Sequence, residues 1–100
     1  MVKYTVKIYP QAIHELNDIY EYIANDKQSP ENGKIQADRI KEAILSLSTF
    51  PESHQNRLHG RYAGEEYKQL LVDNYVVIFK IDKEQRIVYV VTIQYQGRNI

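Results

Sequence analysis

Three apolar runs close the chain, and their spacing limits the possible folds more than any other feature. YKQLLV (67–72), YVVIFKI (75–81) and RIVYVVTIQY (86–95) are rich in β-branched and aromatic residues, which pack well on a pleated surface. Only Asp73-Asn74 separates the first two runs, and Asp82-Lys83-Glu84-Gln85 the last two. Connections this short cannot carry a crossover, so neighbouring runs must pair antiparallel. The C-terminal third is therefore predicted to be a β-meander.

The first half reads differently. In VKYTVKIY, Val2, Tyr4, Val6 and Ile8 alternate with Lys3, Thr5, Lys7 and Tyr9, the period of a half-buried strand. Pro10 ends that strand and suits the first turn of a helix, where its missing N–H is no loss. Ile13, Leu16, Tyr20 and Ile23 then recur at helical spacing. Ser29-Pro30-Glu31 predicts a second helix start, with Ser29 as N-cap, Pro30 as first residue and Glu31 in the acidic first turn. Its apolar positions are Ile40, Ile44 and Leu47, with Ala37 and Ala43 as small contacts, and Phe50-Pro51 closes it. The order β-α-α-β-β-β defines an α+β class: a helical hairpin packed on one face of a small, largely antiparallel sheet. Residues 1–100 make a single domain of ordinary size.

Composition narrows the function classes. The absence of cysteine removes disulfide frameworks and thiolate metal sites and fits a cytoplasmic protein. No histidine pair has a metal-binding spacing, so neither metal nor cofactor is expected. No apolar run reaches the roughly 18 residues of a membrane span. Net charge is zero, with six Lys/Arg against eight Asp/Glu in residues 1–56 and seven against five in 57–100. Proteins that live on phosphate backbones carry a stronger basic signature.

One stretch stands apart. RLHGRYAGEEYK (57–68) places Arg57, His59, Arg61 and Lys68 beside Tyr62 and Tyr67. Cations interleaved with aromatics can hold a phosphate and stack a base, which makes Arg57, Tyr62 and Tyr67 candidate nucleic-acid contacts. A solvated loop leading into a strand is the plainer account. His54 and His59 are the loop side chains that titrate near neutrality.

Taken together, Tyr4 with AIHELNDIYEYIA, GRYAGEEYKQLLV, NYVVIFKID and the ending IQYQGRN make the chain resemble the RelE/ParE superfamily of bacterial type II toxin–antitoxin toxins over essentially its full length. The resemblance implies a growth-inhibiting toxin neutralised by a cognate antitoxin. It carries two activities: ribosome-dependent, metal-independent mRNA cleavage in RelE-like members and poisoning of DNA gyrase in ParE-like ones. A decayed toxin that only binds antitoxin is a third reading. For cleavage, Lys68 matches a basic position early in the second strand and Arg98 the arginine after the last strand, while His59 and Arg61 could add a proton carrier and charge. Against it, Leu70 stands where RelE-like members can have a second lysine and Val76 where they have an arginine. The ending at Ile100 supplies no tail tyrosine, and Tyr95 is assigned with Tyr89 and Ile93 to the helix-covered face.

Alternation assigns Leu70, Val72, Val76, Ile78, Val88 and Val90 to the face turned away from the helices. Exposed apolar area of this extent marks a partner site. The resemblance supplies the partner: an antitoxin segment over Leu70, Val76 and Ile78, an amphipathic helix with an extended arm. Coverage by the helices or by a second copy of the chain is the competing arrangement.

Overall fold

The computed structural model describes residues 3–57 and 60–96, apart from the side chain of Glu65. Strand β1 (Thr5–Ile8) leads into helix α1 (Pro10–Glu21), a π-helical turn (Tyr22–Asp26) and helix α2 (Pro30–Ser46). A short 3₁₀ turn (Pro51–Ser53), a two-residue strand β2 (Asn56–Arg57) and the meander β3 (Gly64–Val72), β4 (Tyr75–Asp82) and β5 (Ile87–Tyr95) follow. The five strands form one mixed sheet in the order β1-β5-β4-β3-β2, with β1 parallel to β5 and the other pairs antiparallel. The expected α+β architecture is therefore present.

Pro10 starts α1 and Pro30 starts α2 where the sequence places them. Two details differ. The buried stripe of α1 is Ala12, Leu16 and Ile19, leaving Ile13 half exposed. Ser29 contributes its carbonyl to Gly33 N–H, 3.0 Å away, with no side-chain cap. Gly33 itself lets α2 approach the π-turn closely: a Cβ there would lie 3.0 Å from the Tyr20 carbonyl oxygen and 3.2 Å from Ala24 N. Ile40, Ile44 and Leu47 of α2 complete the helical side of the core.

The face assignment of the sheet is corrected by register. Val72 pairs directly with Tyr75 across the two-residue turn, Leu70 with Val77 and Lys68 with Phe79. Directly paired residues share a face, so Leu70 and Val72 lie with Val77 and Phe79 under the helices. On β5, Ile78 pairs with Thr92 but Phe79 with Val90, leaving Val91 as an extra residue. A one-residue bulge reverses alternation beyond it. Val88 and Val90 thus join the helix-side core together with Ile93, while Tyr89 opposes Lys80 on the other face.

The expected antitoxin platform of Leu70, Val76 and Ile78 is not an exposed face. Leu70 packs against the core, and Val76 and Ile78, though turned away from the helices, are 0% exposed. Strand β4 is buried on both sides, as a central strand of continuous apolar character should be.

β1 stops opposite Val90, so the outer edge of β5 beyond it needs another partner. Glu15 of α1 supplies one. Its carboxylate accepts the Thr92 hydroxyl at 2.7 and 2.9 Å and Ile93 N–H at 2.9 Å. Thr92 is fully buried, so losing the acceptor strands its hydroxyl. Glu15→Ala should lower stability by about 1–3 kcal/mol, the cost of unsatisfied buried donors. Urea unfolding measures this, and an unchanged midpoint would show that the edge needs no cap.

Candidate functional site

The cationic residues singled out in the sequence do not gather at one point. Lys68 shares the helix-side face with its partner Phe79. Its ammonium donates to the His54 carbonyl and to Asn56 Oδ1, each at 3.0 Å. The His54 ring stands edge-on to Phe79, with centroids 5.7 Å apart. Burial, reinforced by the Lys68 charge, holds the His54 imidazole below its usual pKa. Lys68 thus fastens the segment around His54–Asn56 to β3, a role the sequence did not reveal because β2 is only two residues long.

Arg57 is similarly engaged. One terminal guanidinium nitrogen donates to Gln69 Oε1 at 2.9 Å, while its Nε is buried without an acceptor among the described residues. Arg61 lies over the Tyr62 ring at 5.7 Å, and Tyr62 meets Tyr67 edge-on at 5.1 Å. Those three form one small cation–aromatic stack at the start of β3. His59 and Arg98 lie outside the described residues.

Lys80 was passed over in the sequence, although it falls at an alternating position of β4. It sits on the face opposite Lys68, as successive strand residues around Phe79 must. Its ammonium lies 6.0 Å from the Tyr9 ring centre and 5.9 Å from that of Tyr89. Burial alone would lower its pKa, but the Tyr9 hydroxyl and the charges of Tyr9, Tyr67 and Glu66 outweigh this and raise it. A lysine so held is a fixed cation, unsuited to proton transfer near neutrality. Lys68 and Lys80, on opposite faces, cannot close on one phosphate.

At the other end of the sheet, an open cleft of about 620 Å³ lies between α1, α2 and the end of β5. Asp18, Tyr22, Lys27, Gln36, Tyr75 and Tyr95 contribute to its walls. Tyr95 shares the face of Ile93 as the sequence suggested, but it stands in the open wall of this cleft and is 69% exposed. Among the described residues no three His, Cys, Asp or Glu side chains come together to hold a metal ion. No helix there is long and apolar enough to cross a membrane.

Residues 6–100 match the family model described as ParE toxin of type II toxin–antitoxin system, parDE. No curated protein matches the chain in sequence. Among solved structures, the chromosomal ParDE toxin–antitoxin system from P. aeruginosa is similar with a TM-score of 0.78 at 14% identity, covering 95% of this chain and 98% of that one. The RelBE2 toxin–antitoxin complex of Mycobacterium tuberculosis gives 0.66 at 18% identity, covering 94% and 99%. The archaeal RelE–RelB complex of Pyrococcus horikoshii gives 0.64 at 19%, covering 99% and 100%. At such identities the likeness speaks for the fold.

The depressed His54 pKa sets a sign for pH dependence. Folding favours the neutral ring, so the unfolded chain binds the extra proton first as pH falls. The contribution is fully present above the ordinary value of 6.5 and is lost as pH falls from there through the folded pKa. Thermal melts between about pH 7.5 and 5 should show this loss, and His54→Gln should flatten it over that window.

Proposed function

Because the chain belongs to the ParE toxin family of type II toxin–antitoxin systems, we propose that it arrests growth by binding a protein target such as DNA gyrase, with no bond-breaking chemistry of its own. It is a toxin component, and its partner is a cognate antitoxin, as in the ParDE and RelBE assemblies of the same fold. The proposal concerns the target and the mode of action.

The placement of Lys68 carries this reading. Metal-free RNA cleavage needs a base for the 2′-OH, cations around the phosphorane and an acid for the leaving oxygen, all converging on one phosphate. Lys68 is turned to the helix side and commits two of its three N–H donors to His54 and Asn56. Lys80 occupies the other face between two tyrosines. Leu70 is drawn into the core and Val76 is fully buried, so neither position offers a cation. One missing donor costs such a site a factor of about 10²–10³, and several are missing at once. Zero net charge also favours a protein target over a phosphate backbone.

Purified protein should be added to a gyrase supercoiling reaction and, separately, to cell-free translation with end-labelled mRNA. The expected result is a dose-dependent loss of supercoiling with intact mRNA. Discrete, ribosome-dependent cuts in the mRNA with undisturbed supercoiling would overturn the proposal and return Arg98 and His59 to consideration.

A further inference from the structure

The cleft beside the π-turn has the construction of a cation receptor. Tyr75 forms its floor, 8% exposed, while Tyr22 and Tyr95 are 49% and 69% exposed. Tyr75 and Tyr95 meet at 5.6 Å between ring centres with planes inclined by 67°. Burial, with Tyr95 and Tyr22 nearby, raises the Tyr75 phenol, so all its polarity is that of a neutral hydroxyl at neutral pH. Rings as exposed as those of Tyr22 and Tyr95 contribute little to the core. Grouped in a concavity, they present electron-rich faces to whatever enters.

The polar groups of the cleft point the same way. Asp18 forms no ion pair among the described residues. Gln36 donates its side-chain N–H to Asp73 Oδ2 at 3.0 Å, which commits the amide nitrogen and leaves its oxygen as an acceptor. α1 and the π-turn carry Glu15, Asp18, Glu21 and Asp26 and no Lys or Arg, and Lys27 follows directly; of these, Asp18 and Lys27 line the cleft. Lys27 already demonstrates the chemistry, since its ammonium lies 5.7 Å from the Tyr22 ring centre. The π-helical turn is what brings Tyr22 and Lys27 to this rim, and single π-turns often mark functional positions.

We infer that this cleft is an aromatic cage for an arginine side chain of the cognate antitoxin. The exposed rings of Tyr22 and Tyr95 above the buried Tyr75 floor, the Asp18 carboxylate and the Gln36 carbonyl match a planar guanidinium. It stacks on rings and offers five N–H donors, and it is more weakly hydrated than an ammonium. Lys27 acts as the resident cation that the arginine displaces from Tyr22. The inference rests on membership of the toxin–antitoxin family and is independent of which target the toxin binds.

The test is the affinity of the full-length toxin for its full-length antitoxin, measured by titration calorimetry. Tyr95→Leu keeps apolar area and removes the ring face, and it should weaken binding about tenfold. Asp18→Asn should weaken it severalfold, whereas Lys27→Met should leave it unchanged or tighten it by removing the competitor. Replacing the antitoxin arginines by methionine one at a time should identify one whose effect is not additive with Tyr95→Leu. The inference is overturned if Tyr95→Leu and Asp18→Asn bind within about twofold of the parent, if Lys27→Met weakens binding, or if no arginine couples to Tyr95. Tyr95 and Asp18 are exposed, so these variants retain the fold. Supercoiling assays on the free toxin stand apart from every one of these outcomes.

Discussion

The register of β4 against its two neighbours is the constraint on which the rest of this molecule depends. A two-residue turn sets one side of it, pairing Val72 with Tyr75. The turn is held from outside the sheet: Asp73 adopts φ 55° and its carboxylate receives Arg39 of α2 at 2.8 and 3.0 Å. The bulge at Val91 sets the other side by bringing Val90 and Ile93 onto a common face. Together they direct Val72, Tyr75, Val77, Phe79, Val88, Val90 and Ile93 at the helices. Slipping either pairing by one residue would turn that set outward.

A strand buried on both faces leaves a small sheet little exposed area at its centre. Function is therefore pushed to the margins. One margin is the β2–β3 end, where Lys68 and Arg57 are absorbed into structural hydrogen bonds. Another is the open face around Lys80, clasped by Tyr9 and Tyr89. The third is the tyrosine cleft by the π-turn. Only the third combines exposed aromatic surface, a carboxylate without a partner among the described residues, and a concave shape.

The same register explains what could be read from the sequence. Strand existence, hairpin pairing and both helix starts were legible, because Pro10, Pro30, Asp73-Asn74 and the period-two runs act locally. The parallel β1–β5 pair, the two-residue β2 and the bulge were not, since each is decided by partners far along the chain. That bulge misdirected the assignment of Val88 and Val90, and strict alternation across the turn misplaced Leu70 and Val72. The site suffered more than the fold. Lys68 looks like any strand lysine until β2 shows what its ammonium holds, and Lys80 gains meaning only with Tyr9 beside it. Tyr62 and Tyr67, named in the sequence only as candidate nucleic-acid contacts, pack on each other, and Arg61 is the candidate cation stacked with them.

The central proposal is that Lys68 is a structural fastener and that growth arrest needs no bond-breaking step at its ammonium. Growth arrest by Lys68→Gln tests it most directly. Glutamine keeps a neutral donor and removes the charge a phosphorane would require. The account predicts that the folded variant, checked by circular dichroism, arrests growth as the parent does. A folded Lys68→Gln that no longer arrests growth would contradict it and place that ammonium in the chemistry.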